Sequence, residues 1–248
     1  MPVVIKRDVC FTPNGEYRTL HIYLPDGYYE SNESYPVMYF FDGHNLFFNE
    51  DATFGKSWGM KEFLDSWDKQ IIIVGIECSH KGNNRLAEYC PYHICNDFYG
   101  DLKGTGKETL AWIVEELKPM IDNEFRTWRH REATAIGGSS MGGLMALYAV
   151  NAWNRVFSKA ACVSSAISSC DSHLHTEISA TALSADTRIF LSWGEHEGFM
   201  RNNNEVMAMH LQDRGAIVRL HEEPDGRHCE ADWEKQVEPF MNFLWKDC

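Results

Sequence analysis

Two short runs, YPVMYFFDG (residues 35–43) and QIIIVGIE (residues 70–77), are apolar at almost every position. A strand with one wet face alternates polar and apolar residues; a strand without that alternation is covered on both faces. Strands of this kind belong to parallel sheets, whose crossover connections lay helices over both sides. The rest of the chain supplies the alternation such a sheet needs. TAIGG (134–138), FSKAACVSS (157–165), TRIFLSWGE (187–195) and AIVRLHEEP (216–224) read as further strands. YRTLHIYLP (17–25) alternates, which predicts a strand with one solvated face. Apolar residues at three- and four-residue spacing predict helices over 106–125, 140–151, 201–214 and 230–246; in the first, Leu110, Ile113, Val114, Leu117 and Ile121 mark one face. The expected fold class is α/β: a mostly parallel central sheet of about eight strands, helices on both faces, and ligands bound at the carboxyl ends of the strands.

A chain of 248 residues with no repeat, no low-complexity run and no Pro/Gly/Ser-rich linker is expected to be a single domain over residues 1–248. A net charge of −13 argues against nucleic acid or an anionic membrane as the main partner. No stretch reaches the roughly 18 to 20 apolar residues of a spanning helix. MPVVIKRDVC lacks the charged start and long apolar core of a signal peptide. The eight cysteines, Cys10, Cys78, Cys90, Cys95, Cys162, Cys170, Cys229 and Cys248, include no Cys-x-x-Cys pair. Reduced thiols and a cytoplasmic location are the expectation.

AIGGSSMGGLMALYAV (135–150) joins a strand pattern to a helix pattern through a turn of small residues. Gly138, Ser140 and Gly142 match Gly-x-Ser-x-Gly, whereas Ser139 fails because Met141 stands where its second glycine would be. A nucleophile on a sharp strand-to-helix turn needs neighbours without side chains two before and two after, so that strand and helix can pass closely. The helix start then offers backbone N–H groups to a developing oxyanion. An N-cap serine in a glycine-rich turn would look the same, so the assignment depends on an acid and a base following in order.

In α/β-hydrolases the order is serine, acid, histidine. His228 lies in PDGRHCEADW, between the last strand and the last helix, where a general base is expected. His221 lies inside that strand and His210 inside a helix pattern. The loop after TRIFLSW reads Gly194, Glu195, His196, Glu197, Gly198; Glu197 is the expected acid, Glu195 the runner-up and Asp171 a remoter candidate. The oxyanion donors are expected to be the backbone N–H groups of Met141 and of His44, the latter in DGHNLFF after the first buried strand. The loop from Asn45 to Lys56, with Phe47, Phe48, Phe54 and nearby Trp58, is a candidate pocket wall, the alternative being that these aromatics are core.

These segments together resemble the putative-esterase family of α/β-hydrolases, which is similar to siderophore, feruloyl and acetyl-xylan esterases, S-formylglutathione hydrolase and mycolyltransferases. RTLHIYLPDGYYESNESYPVMYFFDGHNLF looks like the family's opening, GNNRLAEYCPY like its Arg-x-x-Glu-Tyr-x-Pro segment with Arg85, Glu88 and Pro91 matching, and GGSSMGG like its nucleophile elbow. WGEHEG looks like the acid loop and places the acid on Glu197; GRHCEADW looks like the Gly-x-His-x-x-x-x-Trp ending and places the base on His228. The resemblance implies an α/β-hydrolase fold and a serine carboxylic-ester hydrolase. It also implies an oxyanion N–H from His44, and Asn45, Phe47 and Arg85 as substrate-binding residues. Residues 164–186 sit where the family places a short cap, so a shallow, open site is expected. The expected partner is a small-molecule ester carrying a short or aromatic acyl group, such as an acylated sugar.

No metal or organic cofactor is called for. His173 and His175 beside Asp171 lack a third ligand, and HEEPD (221–225) lacks the second histidine of a zinc-protease motif. YGDLKGTGKET fails the phosphate-loop spacing. Acyl transfer and siderophore-lactone hydrolysis would use the same triad, the latter being disfavoured by the net charge; a silent binding domain and a peptidase are the rivals outside esterase chemistry.

Overall fold

The computed structural model describes residues 1–97 and 99–246; Cys248 lies outside the described residues. Ten strands are present among them: β1 (Val3–Phe11), β2 (Glu16–Leu24), β3 (Val37–Phe41), β4 (Ile72–Ile76), β5 (His93–Asn96), β6 (Gly100–Lys103), β7 (Thr134–Ser139), β8 (Lys159–Val163), β9 (Arg188–Gly194) and β10 (Ile217–Glu223). Eight of them form one sheet in the order β1-β2-β4-β3-β7-β8-β9-β10, and β5 and β6 pair separately as a hairpin. Only β2 runs against its neighbours; every pairing from β4 through to β10 is parallel.

The helices are α1 (Met60–Ser66), α2 (Asn84–Glu88), α3 (Gly106–Trp112), α4 (Lys118–Glu124), α5 (Met141–Ala152), α6 (Asp171–Ala180), α7 (Arg201–Asp213), α8 (Glu230–Glu234) and α9 (Val237–Leu244). The buried strands divide their side chains between two cores, as the period of two requires. In β3, Val37, Tyr39 and Phe41 enter the core under α3, α5 and α7, while Met38 and Phe40 enter the one under α1 and α9. In β4, Ile72, Val74 and Ile76 take the first side and Ile73 the second. No helix among the described residues is long and apolar enough to cross a membrane.

The α/β expectation holds, with differences in detail. β2 has no solvated face over its second half, because Leu20 to Leu24 are all buried. The polar position there is His21, which is satisfied by the Glu77 carboxylate at 2.7 Å instead of by water. The helix expected over 106–125 opens into a π turn at Ile113–Leu117 between α3 and α4. Pro119 explains the irregularity: it offers no N–H, and its ring clashes with the carbonyl one helical turn earlier. The helix expected over 230–246 is two, α8 and α9, and β1 and the β5–β6 hairpin were not among the expected elements. Residues 164–186 form little of a cap, since α6 buries Leu174 and Ile178 in the core. Only its first residues, Ala166, Ser168 and Ser169, reach the cleft described below.

Six connections, after β3, β4, β7, β8, β9 and β10, leave the same carboxyl edge of the sheet. The first is pressed onto β4: a Cβ on Gly43 would lie 2.2 Å from the Gly75 carbonyl carbon. That contact seats the one-turn helix Gly43–Asn45 directly against the sheet.

Candidate active site

Ser140 stands at the junction of β7 and α5 with φ 56° and ψ −121°. A non-glycine residue at positive φ is costly and persists only where its surroundings enforce it. Here the enforcement is close packing. A Cβ on Gly138 would meet the Gly142 carbonyl carbon at 2.6 Å, and one on Gly142 would meet Phe41 Cβ at 3.0 Å. The Ser140 N–H donates to the Val163 carbonyl at 2.9 Å, and its carbonyl accepts from Leu144 and Ala166, both at 3.0 Å. The turn is thus locked, and its side chain, which makes no hydrogen bond among the described residues, is presented to the cleft.

His228, on the loop between β10 and α8, lines the same cleft. Its Nδ1 lies 2.5 Å from Glu197 Oε1. Glu197 sits after β9, only 2% exposed, and its other oxygen accepts from the Ser164 hydroxyl at 2.6 Å and the Gly194 N–H at 2.8 Å. Burial alone would raise the Glu197 pKa, but hydrogen bonds from His228, Ser164 and Gly194 outweigh it and hold the carboxyl below its ordinary value. Ser164 accepts in turn from Trp233 Nε1 at 3.0 Å, and the Trp233 ring meets the His228 ring edge-on at 5.0 Å. The imidazole is therefore held by hydrogen bond and by ring packing, with Nε2 left for the cleft.

Glu195 is exposed and accepts from the Asp225 N–H at 3.0 Å; it has no contact with His228. Asp171, at the start of α6, is engaged by His175 at 3.2 Å and does not line the cleft. His173 stacks on Tyr92, His175 meets His210, and His221 pairs with Glu223, so none of them enters the cleft.

The N–H of Met141, the first residue of α5, is taken by no acceptor among the described residues, nor is that of His44 within its one-turn helix. Helix starts leave such donors open. Asp42, ahead of His44, adopts left-handed φ 57° and is fixed by Arg85 through Nε to Oδ1 at 2.8 Å and Nη2 to Oδ2 at 2.6 Å. Burial opposes the charge on Asp42, yet Arg85 overrides it and the carboxyl titrates below its usual range. Glu88, three residues after Arg85, is buried against Arg18 and accepts from the Ser79 N–H at 3.0 Å. The Arg-x-x-Glu segment thus braces two loops of the site.

The cleft has two arms that share Ser140, Arg85 and His228. One, of about 670 Å³, is polar, with His44, Asn45, Thr53, Ser79 and Glu230 among its walls. The other, of about 680 Å³, is lined by Leu86, Tyr99, Met141, Phe199 and Met200. Asn45 reaches the first arm and holds the Thr53 N–H through Oδ1 at 2.9 Å. Phe47 does not reach it. That side chain is 1% exposed and stacks on Tyr23 inside the second core, beside Trp58. Phe54, 80% exposed, is the aromatic residue of that loop that lines the cleft. Ser164 is not marked by the sequence, because nothing in a serine-rich stretch says which carboxylate it will meet; Trp233 stands there only as the tryptophan that closes the Gly-x-His-x-x-x-x-Trp ending.

The family profile described as "Putative esterase" matches residues 13–240. The chain belongs to the putative esterase family. This esterase is 27% identical to YbbA of Bacillus subtilis over 184 residues, or 73% of this chain and 69% of YbbA. It is 30% identical over 140 residues to an endo-1,4-beta-xylanase/feruloyl esterase of Xylanibacter ruminicola, covering 52% of this chain and 17% of that enzyme. An IroE-like serine hydrolase from Shewanella oneidensis has the same fold, with TM-score 0.80 at 22% identity over 99% of this chain and 81% of that one. The chain is thus a member of an esterase family and has the α/β-hydrolase fold, as the sequence motifs implied.

Proposed function

We propose that this esterase hydrolyses neutral carboxylic esters through an acyl-enzyme formed on Ser140. His228 Nε2 takes the Ser140 proton as Oγ attacks the ester carbonyl, and hands it to the leaving alcohol. Oγ and Nε2 close to hydrogen-bond distance when substrate fills the cleft, as catalytic pairs commonly do. Glu197 keeps the Nδ1–H tautomer and stabilises the imidazolium. The Met141 and His44 N–H groups receive the oxyanion, and water activated by His228 releases the acid. The observation that carries this reading is the convergence, in one cleft, of a serine at φ 56° and a histidine bound by a buried glutamate.

The two arms suggest the substrate class. The arm with Tyr99, Met141 and Phe199 suits a short aliphatic or aromatic acyl group; the polar arm suits a hydroxyl-rich alcohol such as a sugar. Arg85 is the only lysine or arginine lining either arm among the described residues, and its Nε and Nη2 are both given to the Asp42 carboxylate. Glu230 adds a buried carboxyl, pushed up first by burial and then by the Asp42 charge. This electrostatics favours neutral esters over polyanionic siderophores. The feruloyl esterase relative points the same way.

The test is turnover of p-nitrophenyl acetate, butyrate and octanoate and of methyl ferulate. Hydrolysis of the acetate or of the ferulate, with less on octanoate, is the expected result. Inertness on all four overturns the reading. Ser164→Ala should lower kcat by about tenfold with KM unchanged, since it removes one charge-assisted hydrogen bond from Glu197 and touches no substrate. An equal rise in KM would place Ser164 in substrate binding instead.

A further inference from the structure

The polar arm carries a group of side chains that ester hydrolysis leaves unused. His44, Cys78 and His80 each offer a ligand atom, and these atoms lie within 4.8 Å of one another. We propose that the three bind a divalent ion of borderline-soft character, Zn²⁺ above all, and that the bound ion blocks the polar arm beside Ser140.

The donor set selects the ion. Two imidazoles and a thiolate suit Zn²⁺ and its neighbours in the transition series, not Mg²⁺ or Ca²⁺, which take oxygen ligands. Three protein ligands leave a fourth position open to water, as in exchangeable zinc sites.

The surroundings of His44 point independently to a ligand. The side chain is 6% exposed, and its Nε2 lies 2.9 Å from Thr53 Oγ1. Its Nδ1 is buried with no hydrogen-bond partner. A buried, unpaired ring nitrogen is costly. An imidazole with one nitrogen on an oxygen and the other open has the arrangement of a metal-bound histidine. His80 repeats it: Glu77 Oε2 lies 3.3 Å from His80 Nε2, leaving Nδ1 available. The two rings meet edge-on with centroids 4.9 Å apart.

Coordination needs a small closure. Ligand atoms around tetrahedral Zn²⁺ stand about 3.3 to 3.8 Å apart, so the group must tighten by roughly 1 Å. His80 can supply that movement, being 59% exposed on the loop after β4, whereas Cys78 and His44 are buried walls. On binding, the Cys78 thiol gives its proton to solvent and its sulfur bonds the ion, while both imidazoles bind neutral; no electron is transferred. Because His44 and His80 line the same arm as Ser140 and His228, the ion stands where the leaving alcohol would lie.

Binding is independent of the proposed esterase mechanism; the blocking rests on it. The full chain, reduced with a phosphine, is titrated with Co²⁺ and followed by absorption, then with Zn²⁺ by calorimetry. One equivalent should bind, with a near-ultraviolet thiolate-to-cobalt band and the intense visible bands of four-coordinate Co²⁺. Cys78→Ser should lose the thiolate band, and Cys78→Ser and His80→Ala should each weaken Zn²⁺ binding by about tenfold or more. Wild-type ester turnover should fall as the site fills and return with EDTA, while each variant, measured against its own metal-free rate, should not be inhibited at the same Zn²⁺ concentration. An absent thiolate band, or unchanged affinity in Cys78→Ser, overturns the site. Binding that leaves turnover untouched overturns the blocking. Binding by a protein inert on all esters before metal is added keeps the site and removes the ester reading.

Discussion

Ser140→Ala is expected to lower kcat/KM on p-nitrophenyl esters by about 10⁴ to 10⁶ while leaving the folded protein as stable as before. Both halves follow from the geometry. The activity half rests on there being one strained serine in the cleft. Ser139 also lines it but lies within β7 with ordinary backbone, at a position whose side chain is 5% exposed. Removing Oγ from Ser140 leaves the oxyanion donors and the cleft in place, so weak residual hydrolysis by bound water is the expected floor. The stability half rests on what the hydroxyl does in the resting protein. Ser140 is held by its backbone, through Val163, Leu144 and Ala166, and its hydroxyl bonds to nothing among the described residues. Alanine at φ 56° meets the same strain that serine does, because the cost comes from Cβ. Unfolding free energies from urea titrations should therefore agree within ~0.5 kcal/mol. A variant that unfolds early, or one that keeps wild-type turnover, would show that the turn serves structure alone.

The parts of this molecule legible in the chain are those whose physics is local. β3 and β4 announce themselves because covering both faces of a strand demands apolar residues at consecutive positions. The turn at Ser140 does so because only glycine tolerates the approach of β7 to α5. Glu197 and His228 could be ranked by their place after successive strands, since each strand ends on the same edge. What stayed hidden depends on partners distant in the chain. His21 looks like the wet face of a strand until Glu77, 56 residues later, arrives to satisfy it. Phe47 reads as a pocket wall because a loop of aromatics follows the oxyanion turn. Whether an aromatic faces cleft or core is decided by the tight Gly43–Asn45 turn, which directs Phe47 against Tyr23 and leaves Phe54 outside. β1 was missed because Lys6, Arg7 and Asp8 interrupt its apolar residues, and it is an edge strand held by pairing with β2. The His44–Cys78–His80 group joins the loops after β3 and β4, and its residue types are individually unremarkable.

Glu197→Gln should cripple turnover by about 10³ to 10⁴, whereas Glu195→Gln should leave it within about threefold. The two residues are separated by half a turn of loop and differ in what they face. Glu197 is surrounded by donors: His228 Nδ1–H on one oxygen, the Ser164 hydroxyl and the Gly194 N–H on the other. An amide has only one oxygen. Whichever way it turns, its NH₂ group confronts either the imidazole proton or the Ser164 and Gly194 donors. If it confronts the imidazole, His228 is driven to the wrong tautomer and Nε2 can no longer accept the Ser140 proton. If it confronts Ser164 and Gly194, the charge that stabilises the imidazolium is still missing. Glu195, by contrast, is exposed and caps only the Asp225 N–H. The same carboxylate leaves a mark on stability. Its folded-state pKa lies below the ordinary value of 4.5, so the stabilisation it supplies is fully present above that pH and fades as pH falls through the lower folded value. Wild type should therefore lose stability on acidification over that window by more than Glu197→Gln does, measured as urea midpoints between pH 6 and the onset of acid unfolding. Equal acid slopes together with intact turnover in Glu197→Gln would move the acid elsewhere, and a collapse in Glu195→Gln would move it two residues back along the loop.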